Sequence, residues 1–184
     1  FAEHDVKVSH NPAAAMRVLG FAKVPEMLAA GVCVALGTDG APSNNRMTLI
    51  DEMWLASLIH KGRTLDPTVV PAQAVLAMVT CDAARALLWE DEIGSLEVGK
   101  KADLTVIDPD SPAMLPLHDP IANMVNAMHA HNVASVMVDG RWLMRDRQIL
   151  AVNEQEIIGE AKARAAAIAR RAGIEMPSRF NVVS

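Results

Sequence analysis

The amino-acid sequence predicts an α/β fold in which a parallel sheet comes first, and a small antiparallel sheet and a terminal helix follow. The first observation is the order strand, loop, short helix, strand within residues 6–36. This alternation is typical of parallel strands joined by right-handed crossovers. The second is a tight-hairpin signal, Asp139-Gly140, between two apolar segments. The third is a segment after Asn153 with acidic residues leading and basic residues trailing, as in a helix.

Two short strands are predicted in the first part of the chain. The first covers residues 6–9 and ends at His10. Residues 13–19 are expected to be a short helix or an irregular loop, and residues 25–30 a short helix. Residues 32–36 are an apolar run with β-branched side chains, which predicts a strand buried on both faces.

The chain changes abruptly after this second strand. Residues 37–45 are rich in Gly, Thr, Asp, Pro, Ser and Asn, which favour turns. Asp39 therefore lies just past the C-terminal end of a buried strand, which in parallel α/β barrels is where the chemistry takes place. A carboxylate so close to the core should be paired, hydrogen-bonded or bound to a metal. An Asx-turn that caps the strand is the alternative, and this stretch alone leaves both open.

Two helices are predicted next. Residues 48–60 form an amphipathic helix, with Thr48 and Asp51 in a capping pattern and Gly62 as its stop. A further helix begins at Pro71. The expected buried stripe of the first helix consists of Ile50, Met53, Trp54, Ser57 and Leu58.

The second part of the chain is different in character. Residues 133–138 and 141–145 are predicted strands on either side of the hairpin signal. Another strand is expected within residues 93–108, and its pattern leaves open whether it is buried on both faces. Residues 121–128 are predicted to be helical.

The last helix is predicted from its caps. Asn153 begins it with Glu156 in the reciprocal capping position, and Gly173 ends it. We expect a packing or oligomer-contact helix whose apolar stripe is Ile157, Ala161, Ala165 and Ile168. The predicted organisation is a first region at 1–91, a small sheet with a connecting helix at 92–151, and a helix with a tail at 152–184.

Composition excludes several classes of function. The 184 residues carry a net charge of −5 without a basic stripe, which argues against nucleic acid and anionic membrane surfaces. Aromatic residues make up 3%, so base-stacking platforms are not expected. Cys33 and Cys81 are predicted to be two reduced thiols, and a cytoplasmic protein is the default expectation. A complete parallel α/β barrel needs about 250 residues. We therefore expect the C-terminal portion of a longer polypeptide.

Few other side chains are candidates for chemistry. His129 and His131 form a His-x-His pair that could bind a metal, but a solvated connector is the favoured interpretation. His10 is either a pocket-lining donor or a loop histidine bonded to backbone, and the second is favoured. Asn44, beside Asn45, is expected to shape the loop rather than bind a ligand. His60 and His118 are expected to be structural.

Three motifs together resemble the amidohydrolase superfamily. They are Ser9-His10-Asn11-Pro12, Gly37-Thr38-Asp39-Gly40 followed by Ser43-Asn44-Asn45, and the run from Glu92 through Gly94-Ser95-Leu96-Glu97-Val98-Gly99-Lys100-Lys101-Ala102-Asp103-Leu104. Within the superfamily the chain looks most like the 5-methylthioadenosine/S-adenosylhomocysteine deaminases. The triazine chlorohydrolases and guanine-type deaminases are similar as well.

The resemblance implies the C-terminal part of a (β/α)8 metal-dependent hydrolase barrel, part of a small β-sandwich domain and a terminal helix. Residues 1–91 would be the last two barrel units. Asp39 would bind one divalent metal, usually zinc with iron as the other choice, and would move protons. The implied reaction is hydrolytic deamination of a purine-like or other N-heterocyclic small molecule by metal-activated water. A triazine-type chlorohydrolase, or an inactive fragment or scaffold subunit, is the alternative.

The resemblance also implies a metal site that is incomplete here. The superfamily's paired His-x-His, its further metal histidine, the glutamate that protonates the ring and the histidine that polarises water all precede the matching segment. A catalytic zinc normally needs three protein ligands, and Asp39 supplies one. We therefore do not transfer these roles to His10, His129 or His131, and we expect the chain alone to be inactive.

Overall fold

The first part of the chain is built on two parallel strands. The computed structural model describes residues 1–174, in which β1 (Val8–His10) pairs with β2 (Val34–Leu36), with His10 opposite Leu36. Between them lie α1 (Pro12–Val18) and α2 (Val24–Ala29). The predicted strand, helix, strand order is confirmed. The segment left open as helix or loop is a helix, because Pro12 occupies the first turn, where its missing N–H costs nothing.

Four helices follow β2. They are α3 (Ala41–Asn44), α4 (Leu49–Thr64), α5 (Ala72–Met78) and α6 (Cys81–Ala86). Helices α4, α5 and α6 contact β2, whose three residues are all buried as predicted. Helix α7 (Pro120–Asn126) packs against α4 and α5 and adds Val125 to the same hydrophobic core.

A second, antiparallel sheet has the strand order β3-β4-β5-β6. Its strands are β3 (Leu104–Ile107), β4 (Val133–Val138), β5 (Arg141–Arg145) and β6 (Gln148–Ile149). The predicted hairpin is confirmed, because Asp139 and Gly140 both have positive φ, 49° and 74°, as a type I′ turn requires. Strand β3 is not buried on both faces, since its central residues Thr105 and Val106 are exposed.

Helix α4 departs from its prediction in two ways. It continues through Gly62 and ends at Thr64, because one glycine costs a helix interior only about 1 kcal/mol, which packing of the helix overrides. The buried stripe is also different, since Trp54 is 47% and Leu58 50% exposed. The face that meets the core instead consists of Glu52, Met53, Ala56, Ser57 and His60. Met53 and Ser57 were predicted correctly, whereas the hydropathy pattern missed Glu52 and His60 because they are polar and are buried through hydrogen bonds to distant side chains.

The terminal helix α8 (Glu154–Ala172) has the predicted caps. The Asn153 side chain accepts a hydrogen bond from the Glu156 N–H at 3.3 Å, and Gly173 ends the helix with φ 61°. Its apolar stripe is exposed throughout, with Ile157 52% and Ile168 53% accessible, so the packing role is not realised within the described residues. The predicted tail at 175–184 lies outside them.

Three remaining observations complete the fold. Cys33 and Cys81 are free thiols, as expected. Between residues 1 and 174, no helix combines the length and the apolar character needed to cross a lipid bilayer. Gly94 packs closely on α6, since a Cβ built there would lie 2.6 Å from the Ala84 Cβ and 3.2 Å from the Cys81 Cα.

Two glycines with the same backbone conformation allow a matched test of this packing. Gly94 has φ 93° and Gly99 has φ 99°, but no atom of residues 1–174 lies within 4 Å of a Cβ built at Gly99. Gly99→Ala should cost about 1 to 2 kcal/mol of unfolding free energy from backbone strain alone. Gly94→Ala should cost about 1 to 3 kcal/mol more, because the new methyl overlaps α6. Urea unfolding of the two variants measures the difference, and equal midpoints would contradict the close packing.

Candidate active site at the ends of two parallel strands

Asp39 lies three residues beyond β2, at the C-terminal end of the strand. It is exposed, and its backbone has φ 60°, in the left-handed region. Its Oδ1 accepts a hydrogen bond from the Gly40 N–H at 2.6 Å, and the Thr38 hydroxyl donates to its carbonyl oxygen at 3.1 Å. In an Asx-turn the carboxylate would bind the N–H two residues on, so this arrangement differs from the capping alternative.

The loops after β1 and β2 touch at Gly37. Its N–H donates to the His10 carbonyl at 2.9 Å, which continues the strand pairing by one residue. A Cβ at Gly37 would overlap the Asn11 Oδ1 and lie 2.9 Å from the Ser9 Oγ. A side chain at position 37 would displace the Asn11 and Ser9 side chains, so the glycine before Asp39 allows the two loops to approach closely.

His10 is 3% exposed and faces α4. Its Nε2 lies 3.3 Å from the His60 Nε2, so the favoured prediction of a backbone partner is wrong and the partner is a side chain. Burial lowers the pKa of His10 to about 4, with the His60 ring adding to the effect. Burial also lowers the pKa of His60 to about 4, with Arg63 as the next contribution. Both imidazoles are therefore neutral at neutral pH, and one donates to the other.

Two cavities adjoin these residues. Asp39 and His10 both line a cavity of about 210 Å³ near the strand ends. A larger cavity, of about 670 Å³, lies between α1, α4 and the segment that follows α7, and Asn44, Glu52, Trp54 and His129 are among its lining residues. Small-molecule pockets usually measure about 300 to 1,000 Å³. The cavity that Asp39 and His10 share is below that range.

Asn44 is 1% exposed and shapes the loop, as the sequence predicts. Its Nδ2 donates to the Thr38 carbonyl and to the Glu52 Oε1, each at 2.7 Å. Its Oδ1 accepts from the N–H groups of Arg46 at 3.0 Å and Met47 at 3.1 Å. An amide side chain has two donors and two acceptor lone pairs, so the hydrogen-bonding capacity of Asn44 is used within the protein.

Glu52 is the residue that sequence analysis missed. It is 1% exposed, and its Oε2 accepts a hydrogen bond from the Ala13 N–H at 3.0 Å, in the first turn of α1. Its other oxygen faces Asn44. One signal was present in the sequence, because Glu52, Ala56 and His60 are spaced four apart and therefore share a helix face.

The remaining histidines lie elsewhere. His129 and His131 are exposed and stacked, with ring centroids 5.7 Å apart, and His118 is exposed on its loop. Within residues 1–174, no three His, Cys, Asp or Glu side chains come close enough together to hold a metal ion. Asp39 offers one carboxylate, and a catalytic zinc needs about three protein ligands. The described residues therefore do not form a complete zinc centre.

Comparison with known proteins decides the family. Residues 1–143 match the sequence profile described as the amidohydrolase family. The chain belongs to the amidohydrolase family. This match confirms the resemblance to amidohydrolases that was inferred from the three sequence motifs.

Curated relatives of this amidohydrolase chain are named 5-methylthioadenosine/S-adenosylhomocysteine deaminase. The protein from Moorella thermoacetica is 46% identical over 164 residues, which cover 89% of this chain and 38% of the relative. The protein from Syntrophobacter fumaroxidans is 44% identical over 157 residues, covering 85% and 36%. The chain thus spans less than two fifths of the length of these relatives.

Solved structures agree with the family. An adenosine deaminase from Xanthomonas campestris with bound zinc superposes with a TM-score of 0.89 at 31% identity, over 92% of this chain and 39% of that one. The atrazine chlorohydrolase from Arthrobacter aurescens in complex with zinc gives a TM-score of 0.81 at 29% identity, over 89% and 36%. The α/β fold of the amidohydrolase neighbours is therefore shared by this chain.

The buried histidine pair predicts a pH-dependent stability. His10 and His60 have pKa values of about 4 when folded, below the ordinary 6.5, so the unfolded chain binds protons first as the pH falls. The free energy of unfolding should therefore decrease between pH 6.5 and 4. Urea midpoints measured from pH 7.5 to 4.5 should fall less steeply in His60→Leu than in the unmodified chain.

His131→Gln is the matched control for that series, because His131 is exposed. Its midpoints should follow those of the unmodified chain at each pH. If His60→Leu has the same slope as His131→Gln, the buried pair does not cause the acid sensitivity.

Proposed function

We propose that this chain is the C-terminal portion of a metal-dependent amidohydrolase that removes an amino group from a purine-like ring by hydrolysis. The observation that carries the proposal is the carboxylate of Asp39, which follows β2 where that strand lies parallel to β1. In parallel α/β barrels, catalytic residues lie at this end of the strands. The 44% and 46% identities to deaminases of adenosine derivatives support this class of substrate.

The proposal includes a division of the chain. Residues 1–91 would be the last units of a (β/α)8 barrel, with β1 and β2 as its final strands. Residues 92–151 would belong to a small β-sandwich, and residues 152–184 would be a terminal helix with its tail. The parallel pairing of β1 with β2 and the antiparallel order β3-β4-β5-β6 support this division.

Asp39 would supply one ligand to a single divalent metal, zinc or iron, with the other ligands outside the described residues. The zinc in the related deaminase and chlorohydrolase structures supports zinc. A divalent metal in such a site makes hydroxide available near neutral pH, because it lowers the pKa of water to about 7. The Asp39 carboxylate would accept the proton of the attacking water and return it to the departing ammonia.

Dechlorination of a triazine is the second candidate function. Attack by hydroxide on a ring carbon is common to both reactions, and only the leaving group differs. The structural similarity to the atrazine chlorohydrolase supports this alternative at 29% identity, below the values for the deaminases. A scaffold subunit without activity is the third candidate, and the same experiment separates all three.

The test is a chimera in which this chain replaces the matching C-terminal segment of the Moorella thermoacetica relative. We expect zinc-dependent release of ammonia from 5-methylthioadenosine, S-adenosylhomocysteine or adenosine, and no chloride from atrazine. Asp39→Asn should reduce this activity by about 100-fold or more, because the amide can neither hold the metal as a carboxylate does nor accept the proton.

Asp110→Asn is the matched control, since Asp110 is an exposed carboxylate on the loop after β3. It should keep the activity of the unmodified chimera. Chloride release without ammonia would establish the chlorohydrolase alternative. A folded chimera that releases neither product would leave only the scaffold.

A separate prediction concerns the chain by itself. With zinc added, it should not release ammonia from any of these substrates, because residues 1–174 do not bring three metal-ligating side chains together. A coupled ammonia assay measures this directly. Turnover that depends on zinc and is lost in Asp39→Asn would show that the chain completes a metal site unaided.

A further inference from the structure

We propose that Glu52 is a positioning residue that holds Asp39 in place through Asn44. The inference rests on the proposed function, since it concerns how the reacting carboxylate is presented. Glu52 itself is buried and does not face Asp39. Its effect would be exerted through the loop that carries Asp39.

The Glu52 carboxylate joins the two loops that leave the parallel strands. Its Oε2 accepts from the Ala13 N–H, after β1, and its Oε1 accepts from the Asn44 side chain, after β2. Both of its oxygens therefore face N–H donors, and the group acts as an acceptor at both ends. At 1% exposure, loss of either partner would leave a buried polar group unsatisfied.

Asn44 transmits this constraint to Asp39. The same Nδ2 that donates to Glu52 also donates to the Thr38 carbonyl, which belongs to the peptide bond preceding Asp39. Because a carboxylate faces it, the amide of Asn44 must turn its nitrogen toward Glu52. Its oxygen is thereby directed to the N–H groups of Arg46 and Met47. Glu52 thus determines which way the Asn44 amide is turned.

The backbone of Asp39 needs such a constraint. A non-glycine residue with φ 60° is strained by about 1 to 2 kcal/mol, and such conformations persist only where neighbouring contacts enforce them. The hydrogen bonds that join Glu52, Asn44 and the Thr38 carbonyl constrain the backbone on the N-terminal side of Asp39. The hydrogen bond from the Gly40 N–H to the Asp39 Oδ1 constrains the backbone on the C-terminal side.

Glu52→Gln is the informative variant because it keeps the shape of the side chain and changes its hydrogen bonding. One end of the glutamine would present an N–H group to a donor, either the Ala13 N–H or the Asn44 amide. The matched control is Ser57→Ala, on the same buried face of α4, whose hydroxyl donates to the Asn126 Oδ1 at 3.1 Å and does not touch the Asp39 loop.

The first readout is the NMR spectrum of the full chain. Glu52→Gln should shift the Gly40 backbone amide and the Asn44 side-chain amide resonances, and Ser57→Ala should leave both unchanged. The second readout is the deaminating chimera, in which Glu52→Gln should lower kcat by about 10- to 100-fold, as loss of a residue that orients a metal ligand does, with a smaller change in KM. Ser57→Ala should keep kcat within twofold.

Asn44→Ala tests the same bridge from its other end if Glu52→Gln does not fold. It should reproduce the Gly40 shift and the loss of kcat, and combining the two substitutions should add little to either one alone. Unchanged Gly40 resonance and kcat in Asn44→Ala would overturn the positioning role. So would a Glu52→Gln protein that matches Ser57→Ala in both readouts.

The outcomes also separate this inference from the proposed function. If the unmodified chimera is inactive, the proposed function fails and the resonances decide the positioning role alone. If the unmodified chimera is active and Glu52→Gln is as active, with an unshifted Gly40 amide, the positioning role fails and the proposed function stands.

Discussion

The close approach of two loops at Gly37 is the constraint on which the site depends. The Gly37 N–H extends the pairing of β1 with β2, and its missing side chain leaves room for Ser9 and Asn11 of the other loop. The loops that follow β1 and β2 therefore approach each other beyond the last paired residues. Here they stay together for one residue more, and Asp39 emerges from that junction.

Polar side chains on the buried face of helix α4 contact both sides of this junction. This face carries Glu52, which bonds to both loops, and His60, which contacts His10 at the end of β1. An apolar face would pack as tightly but would not determine the orientation of the loops. Buried hydrogen bonds have strict geometry, and each group left unpaired costs about 1 to 3 kcal/mol, so they select one arrangement of the strand ends.

Local signals in the sequence predicted much of this structure. The strands at 133–138 and 141–145 agree with β4 and β5 residue for residue, because a hairpin signal and alternating side chains lie within a few positions of each other. The position of Asp39 after a buried strand was predictable from equally local signals, because turn-forming residues directly follow an apolar run. Strand β6 was missed because two residues are too few to show a pattern.

The groups that sequence analysis misjudged depend on distant partners. Glu52 bonds to Ala13, 39 residues away, and His60 contacts His10, 50 residues away. The hydropathy pattern left Glu52 and His60 out of the buried stripe and put Trp54 into it, because it scores a residue without its partners. A buried polar residue on a helix face becomes understandable only when the fold has brought its partner to it.

The combination of strain and exposure at Asp39 bears on function. The left-handed backbone of Asp39 costs free energy. Among the described residues, no ion pair of the Asp39 carboxylate offsets that cost. The neighbouring Gly40 has φ −75°, so the left-handed conformation belongs to Asp39 itself. Strained residues cluster at functional sites, and turn residues such as Asp139 share this conformation, so the position of Asp39 after a buried strand carries the argument. The proposed metal or substrate role would account for an exposed carboxylate at this position, with the Asn44 and Glu52 hydrogen bonds bracing Thr38 before it.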